Sequence, residues 1–402
     1  MNEITLILET VTPLFLGGFD PRDEPELRPP AIRGALRYWL RAAIGGVVGD
    51  KDRDKLSDLE NQVFGKADDK IGASAITLRF RNPTFRSASY SVLTGVDTIK
   101  KTAKYPGIAY LWFSARGTRK EKERYALVGE FRLEIQSRLG VKQAHQRFQE
   151  AYLALWLWLH LGGLGSRARR AGGNLQVMDV EGDFPLLGNL PLKISAKTPQ
   201  ELATELEVGI TQCRKLLSES YFPDAVSRPS AYDILHPDVC KLWVCEKTYK
   251  SWQEAVDELG KTFQGFRHRR QPDYTTVKDA IGGKTLAKPV ERAAFGLPIQ
   301  FYYSSLGGKS AGLQSEHYDR RSSPLLFRVS RLANGTYALI LIWFHSVFLP
   351  KSEKLKLTGK GISATGGLPN NHLIKTFLTG PDAQNHSSLM EKGLELIEVR
   401  YV

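Results

Sequence analysis

The sequence has few cysteines and no long apolar run, and both absences limit what the protein can be. Its 402 residues include three cysteines, Cys213, Cys240 and Cys245, which form neither an even disulfide set nor a CxxC pair. We therefore expect reduced thiols and no structural zinc site. The most apolar stretch, residues 151–161, is far shorter than the roughly 20 residues needed to span a bilayer. These features predict a soluble, cytoplasmic protein.

Motifs for nucleotide binding and familiar catalysis are also missing. The two Gly-Lys-Ser/Thr triplets, at 283–285 and 308–310, lack the earlier glycine that a phosphate-binding P-loop requires. The GxGxxA spacing that begins at Gly163 follows a predicted helix, whereas the dinucleotide motif follows a strand. The sequence contains no HExxH or zinc-deaminase signature. We therefore expect no cofactor, and we interpret His160, at the end of an apolar helix, as a core histidine.

The charge balance points to an acidic partner. Lysine and arginine number 56 against 43 aspartates and glutamates, which gives a net charge of +13. For a globular chain this excess favours RNA or DNA as partner over an anionic membrane. A basic enzyme with scattered surface lysines is the alternative.

The first half of the chain shows a regular order of elements. Residues 2–11 alternate as a strand does, and a helix is expected over 31–46, entered at Pro29-Pro30 and left at Gly45-Gly46. Strands are predicted at 74–80, 87–96, 107–113 and 125–137, a helix at about 141–161, and a strand at 174–180. This order is typical of a βαββαβ ferredoxin-like unit with an insertion.

The second half predicts another α+β unit after a linker near residues 189–200. Helices are expected at 202–220 and 251–266. The predicted strands of this half are 241–248, 295–303, 323–329, 336–349 and 394–402.

Arginines recur in patterns that suit phosphate binding. Arg33, Arg37 and Arg41 are four residues apart and form a stripe on the predicted helix. Guanidinium groups bind phosphate oxygens in bidentate fashion, although a stripe of solvated arginines is the plainer interpretation. The Arg267–Arg270 run and the Arg320-Arg321 pair repeat the theme.

The segment LGGLGSRARRAGG, residues 161–173, combines five glycines with Arg167, Arg169 and Arg170. We call residues 162–173 the glycine–arginine loop. Its glycines would let the backbone approach a nucleic-acid strand, and its arginines would supply the opposite charge. A glycine-rich end of a helix with solvent-facing arginines is the alternative.

Five blocks of sequence resemble a known family when taken in order. They are TPLFLGG (12–18), PELRPPAIRGALRYWLRA (25–42), GGLGSRARRAGG (162–173), AFGLPI (294–299) and RRSSPLLFRV (320–329). These blocks resemble the RAMP superfamily, and within it the first-numbered subunits of Cmr complexes, the type III-B CRISPR RNA-guided effectors. The resemblance covers most of the chain up to about residue 330.

The resemblance implies an α+β fold of two ferredoxin-like, RRM-like domains with insertions, at 1–195 and 196–402. It implies a non-catalytic subunit that binds guide RNA and single-stranded target RNA near the 3′-distal end of the guide, beside other RAMP subunits, in antiviral defence. The residues expected to contact RNA, from the resemblance and the basic patterns together, are Arg33, Arg37, Arg41, Gly163, Gly165, Arg167, Arg169, Arg170, Arg267, Arg269, Arg270, Arg320 and Arg321.

Two enzymatic alternatives remain open. RAMP subunits that cut RNA use an early aspartate, and Asp20 and Asp23 could hold Mg²⁺ in a metal-dependent ribonuclease. A solvated acidic loop is the plainer interpretation of these two residues. Guide-processing ribonucleases of the superfamily often use a histidine near the first helix, but residues 1–50 contain none.

Overall fold

The computed structural model describes residues 2–18, 20, 22–67, 72–97, 102–118, 120–381 and 387–402. The chain divides into two compact units. Unit 1 comprises Met1–Gly260, Leu326–Phe344 and Leu396–Val402, and unit 2 comprises Lys261–Leu325 and His345–Glu395.

The strands of the described residues are, in chain order, β1 (Glu3–Thr10), β2 (Ile76–Ser89), β3 (Val96–Asp97), β4 (Thr102–Ala103), β5 (Tyr125–Ser137), β6 (Leu175–Glu181), β7 (Cys240–Tyr249), β8 (Ile299–Tyr303), β9 (Lys309–Ser315), β10 (Leu325–Arg331), β11 (Tyr337–Phe344), β12 (Leu355–Gly359), β13 (Ile362–Gly366) and β14 (Leu396–Val399). The α-helices are α1 (Pro29–Val48), α2 (Arg53–Phe64), α3 (Tyr90–Thr94), α4 (Pro106–Leu111), α5 (Ala144–Leu161), α6 (Leu186–Asn189), α7 (Pro199–Ser220), α8 (Trp252–Arg267), α9 (Asp273–Ile281) and α10 (His372–Thr379).

The first sheet of unit 1 has the strand order β2-β5-β1-β6, with antiparallel pairs throughout. Ile4, Leu6 and Leu8 of β1 are fully buried and alternate with partly exposed residues, so one face of the sheet is covered. Helices α1 and α5 contribute their apolar faces to the same core. The strands of this sheet and the helices α1 and α5 follow the order strand, helix, strand, strand, helix, strand, with further elements between them.

Two predicted strands are wrong. Residues 90–94 of the 87–96 run form α3, and residues 107–111 of the 107–113 run belong to α4, which begins at Pro106. Pro106 begins α4 at a position where its missing N–H costs nothing. Ile108 and Leu111, three residues apart, are buried on one side of the helix. A short apolar run has no clear period, so the pattern could not distinguish strand from helix.

The predicted end of the first helix is also wrong, because α1 continues through Gly45 and Gly46 to Val48. A Cβ atom at Gly45 would lie 2.6 Å from the side chain of Ile234, and one at Gly46 would collide with the carbonyl of Leu235. These glycines therefore permit close packing inside the helix and do not end it.

The second sheet of unit 1 has the order β10-β11-β7-β14. Helix α7 packs against β7 and β14, and buried residues of both sheets and of α1, α5 and α7 form one continuous core. The predicted linker at 189–200 alternates between exposed residues and residues that pack on this core. Leu190 and Leu192 are buried, and the Tyr152 hydroxyl donates to the Leu190 carbonyl at 2.9 Å.

Unit 2 contains a sheet of order β13-β12-β9-β8, in which each neighbouring pair is antiparallel. Leu313, Leu355 and Leu357 of this sheet pack with Val277 of α9 in a separate core. The sequence pattern predicted only β8 of this sheet, because β9 and β13 are short and rich in small polar residues. No helix within the described parts of the chain is long and apolar enough to cross a membrane.

Candidate nucleic-acid interface

The glycine–arginine loop begins where α5 ends and connects to both sheets of unit 1. The Ser166 N–H donates to the Phe15 carbonyl at 3.0 Å, and the Gly173 N–H donates to the Pro13 carbonyl at 2.8 Å. On its other side, the Ala171 N–H donates to the Phe327 carbonyl of β10 at 3.0 Å. The loop backbone is therefore held at three places.

The glycines of the loop serve this internal packing. Gly165 has a φ of +92°, and a Cβ there would lie 2.5 Å from the Phe15 carbonyl oxygen. Gly173 has a φ of +72°, and a Cβ there would collide with the Leu164 carbonyl. Gly163, partly buried, faces the Gly172 carbonyl in the same way. The structure thus gives these glycines a role within the protein, whereas the predicted approach to nucleic acid remains a prediction.

Arg169 turns from the loop into the protein. Its guanidinium donates to the Asp233 carboxylate at 2.9 Å and lies over the Tyr38 ring, with 5.2 Å to the ring centroid. Burial opposes the charge of Arg169, but Tyr38 and Asp233 outweigh burial and raise its pKa. Burial also raises the pKa of the Tyr38 hydroxyl, which donates to Asp233 at 3.1 Å. Arg169 therefore ties the loop to α1 and to the segment before β7.

Arg170 also contacts the protein. Its guanidinium lies 5.2 Å from the centroid of the Phe327 ring, and its carbonyl accepts a hydrogen bond from the Trp112 indole at 3.0 Å. Trp112 is fully buried and stacks on Trp252. The insertion between β2 and β5 thus supports the loop through a core tryptophan, while Phe113 beside it is exposed.

One arginine that sequence reasoning missed forms the base of the loop. Arg328 of β10 is buried and donates to the carbonyls of Leu159, Gly162 and Leu175, the last at 3.0 Å. The first two carbonyls end α5, where a cation complements the helix dipole. Burial lowers the pKa of Arg328 to about 9. An arginine inside the apolar run PLLFRV was the signal that could have found it.

His160 is the core histidine that the sequence predicted. Its ring is buried, stacks on the Trp156 ring with 4.1 Å between centroids, and shares a 2.8 Å hydrogen bond with the Trp156 carbonyl. Burial, together with the nearby Arg328 charge, lowers its pKa to about 3.

The stripe on α1 divides into paired and open arginines. Arg37 and Arg41 both bind the buried Glu60 of α2, each at 2.6 Å, and Arg37 also donates to Asn61 at 2.9 Å. These contacts fix α2 against α1. One carboxylate therefore neutralises one of the two charges.

Arg33 differs from its two neighbours. Its side chain has no hydrogen bond or ion pair with any residue that the structure describes, and its Nε atom is shielded from solvent. With Arg37, Lys66 and Ser74 it lines an open pocket beside the end of α2. The pocket presents cationic groups at a concave surface, which suits a phosphate.

A second missed arginine contacts the loop from the insertion. The Arg124 guanidinium donates to the Ser166 hydroxyl at 2.9 Å, and Ser166 is exposed. Arg124 ends the mixed charge run KEKER, so its own side chain did not stand out in the sequence. Lys100, Lys101 and Arg119 of the same basic insertion lie outside the described residues.

The arginines of unit 2 have several environments. Arg270 is buried over the Phe266 ring, 4.1 Å from its centroid, and Arg267 lies over the Phe263 and Phe295 rings. Arg269 is exposed. The predicted basic run therefore contains one buried, one partly buried and one exposed arginine.

Arg320 and Arg321, the other basic pair of unit 2, differ in their contacts. Arg321 donates to the Phe348 carbonyl at 2.7 Å and to the Ser346 hydroxyl at 2.9 Å, which fixes the chain before β10. Arg320 is exposed. RNA contact by either residue remains a prediction.

The acidic loop has the features of a turn. The Asp20 carboxylate accepts the Arg22 N–H at 2.8 Å, and the Asp23 N–H donates to the Asp20 carbonyl at 3.3 Å. Within the described ranges, no group of three or more His, Cys, Asp or Glu side chains is arranged to hold a metal ion. The metal-dependent ribonuclease that uses Asp20 and Asp23 stays an untested alternative, as does the guide-processing enzyme.

Comparison with known proteins identifies the class. The family model described as the RAMP superfamily matches residues 7–176, the part of unit 1 that carries α1 and the glycine–arginine loop. The predicted resemblance to this superfamily is thereby confirmed.

Similar proteins of known name are Cmr subunits. The chain is 26% identical to the CRISPR system Cmr subunit Cmr1-1 of Pyrococcus furiosus over 347 residues, which are 86% of this chain and 88% of the relative. This match confirms the predicted similarity to the first-numbered Cmr subunits.

Solved structures share the fold. The crystal structure of apo Cmr1 from Pyrococcus furiosus matches with a TM-score of 0.62 and 21% identity, covering 100% of this chain and 99% of that one. A chain of the type III-B Cmr-beta complex bound to cognate target RNA matches with a TM-score of 0.53 and 14% identity, covering 85% and 94%. The protein is thus a mixed α+β chain with antiparallel sheets that shares the Cmr1 fold.

Proposed function

We propose that this protein is a non-catalytic RNA-binding subunit of a type III-B CRISPR RNA-guided effector complex and acts in antiviral defence. Its relatives are named as Cmr subunits, and a structural neighbour comes from a complex bound to cognate target RNA. The partners are guide RNA, single-stranded target RNA and other subunits of the complex. Base pairing between guide and target supplies sequence specificity, and this chain holds the sugar–phosphate backbone near the 3′-distal end of the guide.

The observation that carries the proposal is the absence of any carboxylate partner for Arg33 and Arg124 within the described residues of unit 1. In a chain of net charge +13, cations that no acid neutralises are available to phosphates. The surface around these cations is held in place by arginines that contact other protein groups: Arg37, Arg41, Arg169 and Arg170. Backbone hydrogen bonds within the glycine–arginine loop hold Arg167, a further proposed RNA contact. Arg269 and Arg320, exposed in unit 2, are separate proposed contacts.

We also infer that the two sheets of unit 1 are ferredoxin-like. When the four strands of each sheet are numbered along the chain, both have the order 4-1-3-2, with helices in the two crossover connections. The first sheet takes all its strands from residues before 195, and the second takes all its strands from residues after it. These features support domains at 1–195 and 196–402. The cytoplasmic location remains a prediction.

Binding of the purified chain to labelled single-stranded RNA, compared with DNA of the same sequence, tests the proposed function. The measurement is repeated across a salt series with Mg²⁺ present, and the length of the RNA is checked afterwards. We expect intact RNA and an affinity that falls steeply as salt rises, because phosphate contacts release counterions. If the wild-type chain shortens the RNA and the Asp20→Ala variant leaves it intact, the ribonuclease alternative is favoured. If neither the purified chain nor the reconstituted complex binds RNA, an RNA-binding role is refuted.

A further inference from the structure

Arg124 has a fixed backbone and a side chain that is largely unused. Its N–H donates to the Ala115 carbonyl at 2.9 Å, and its carbonyl accepts the Tyr90 N–H at 3.0 Å, so both sides of the residue are held by the insertion. The guanidinium offers five N–H donors. Across the described part of the chain only one of these has a protein acceptor, the Ser166 hydroxyl. The Nε atom is shielded from solvent, so the remaining terminal N–H groups are the donors left for a ligand at the edge of the glycine–arginine loop.

The acids next to Arg124 in sequence are engaged elsewhere. Glu121 pairs with Arg22 at 2.5 Å, and Glu123 accepts from both the backbone N–H and the hydroxyl of Ser91, at 2.8 and 2.6 Å. Neither carboxylate compensates Arg124. The KEKER run therefore has nearly equal numbers of positive and negative charges in sequence, whereas in the fold its acids bind Arg22 and Ser91 and not Arg124.

Arg124 is affected by the positive charge of a second arginine, Arg22. Burial first, and then the positive charge of Arg22, lower the pKa of Arg124. Arg22 is itself held in place, since its guanidinium donates to the Lys122 carbonyl at 2.5 Å. The salt bridge to Glu121 compensates the charge of Arg22, whereas Arg124 has no carboxylate partner among the described residues and can bind a phosphate.

We propose that Arg124 binds a backbone phosphate of single-stranded RNA beside Ser166. The contact rests on the RNA-binding function proposed above and adds the insertion to the interface. Phe113 and Tyr125, which lie in the same part of unit 1, are 61% and 43% exposed. Exposed rings close in sequence to a phosphate-binding cation suit a single strand, whose bases stack on aromatic side chains.

The test uses the full-length chain and an unstructured oligouridylate RNA. Arg124→Gln removes the charge but keeps hydrogen-bonding capacity, and Arg124→Lys keeps the charge. The matched control is Arg400→Gln, which removes the same charge from a side chain that is 81% exposed and paired with Glu398. We expect Arg124→Gln to reduce the slope of log affinity against log salt by about 0.7, the value for one phosphate contact on a single strand. Arg124→Lys and Arg400→Gln should keep the wild-type slope.

A second readout needs no substitution and so does not depend on a variant that folds. Phenylglyoxal modifies accessible guanidinium groups, and mass spectrometry reports the modification at each arginine. RNA should protect Arg124 from the reagent and leave Arg400 reactive. An acidic peptide of equal charge should protect Arg124 less.

The outcomes separate this proposal from the proposed function. If the chain binds RNA, but Arg124 stays reactive and the slope of Arg124→Gln equals that of wild type, the Arg124 contact is refuted and RNA binding stands. Protection by the acidic peptide and not by RNA would also overturn it, in favour of a protein ligand. If neither the chain nor the reconstituted complex binds RNA, both proposals fail together.

Discussion

In the glycine–arginine loop Arg169 and Arg170 turn into the protein, whereas Arg33 at the start of the α1 stripe faces an open pocket. Both segments look like phosphate-binding sequences, because both repeat arginine without nearby acids. The difference lies in partners far along the chain. Asp233 is 64 residues from Arg169, while the acid of the stripe, Glu60, reaches Arg37 and Arg41 and not Arg33.

This comparison divides the arginines by what they do. Arginines whose side chains have carboxylate or carbonyl partners build the surface, and those with neither among the described residues, such as Arg33 and Arg124, are available to an anion. A count of basic residues cannot make this division, so the predictions below change one arginine or one neighbouring group at a time.

The largest effect should come from the buried base of the loop. Arg328→Met removes the donor to three carbonyls in the core, and we expect the free energy of unfolding to fall by about 3 kcal/mol. Urea unfolding measures the change. The control is Arg331→Met on the same strand, whose exposed pair with Glu9 contributes about 1 kcal/mol or less. Equal losses for the two variants would show that Arg328 has no special role.

A smaller effect should appear in acid, through His160. In the folded protein its pKa is about 3, while in the unfolded chain it takes up a proton near pH 6.5. The neutral ring therefore stabilises the fold fully above pH 6.5, and this contribution is lost as the pH falls towards 3. Between pH 7 and pH 5 we expect wild type to lose about 2 kcal/mol of unfolding free energy from this group.

His160→Gln should lose less over the same pH range, measured by urea unfolding at each pH. His268→Gln, at an exposed position, is the control and should follow wild type. Parallel profiles for His160→Gln and wild type would mean that another group causes the acid sensitivity.

Much of the first sheet could be predicted from the sequence. Strand β1 alternates buried and open residues, and β5 matches the predicted range 125–137, because a sheet with one covered face imposes a period of two. Helix α5 was expected within a few residues of its observed bounds, since its apolar series is long. The short segments α3 and α4 were assigned wrongly because a few apolar residues fit either period.

The candidate site was only partly predictable. Glycine and arginine in residues 162–173 marked the loop, but the carbonyls that require glycine belong to Phe15 and Leu164, and only the fold brings them near. Arg124 was hidden in a run of alternating charges, and its neutral appearance depended on acids that the fold turns towards Arg22 and Ser91. Long-range pairing therefore decides which cations remain open.

The most direct test of the central claim compares Arg33→Gln with Arg41→Gln. Both variants remove one positive charge from the same helix. Arg33 has no acidic partner in the described chain, whereas Arg41 shares Glu60 with Arg37, so Glu60 still has a partner when Arg41 is replaced. Affinity for single-stranded RNA is measured across a salt series for both variants and wild type. The account predicts a slope reduced by about 0.7 for Arg33→Gln and little change for Arg41→Gln. Equal slopes for the two variants would contradict it, because net charge alone would then govern binding.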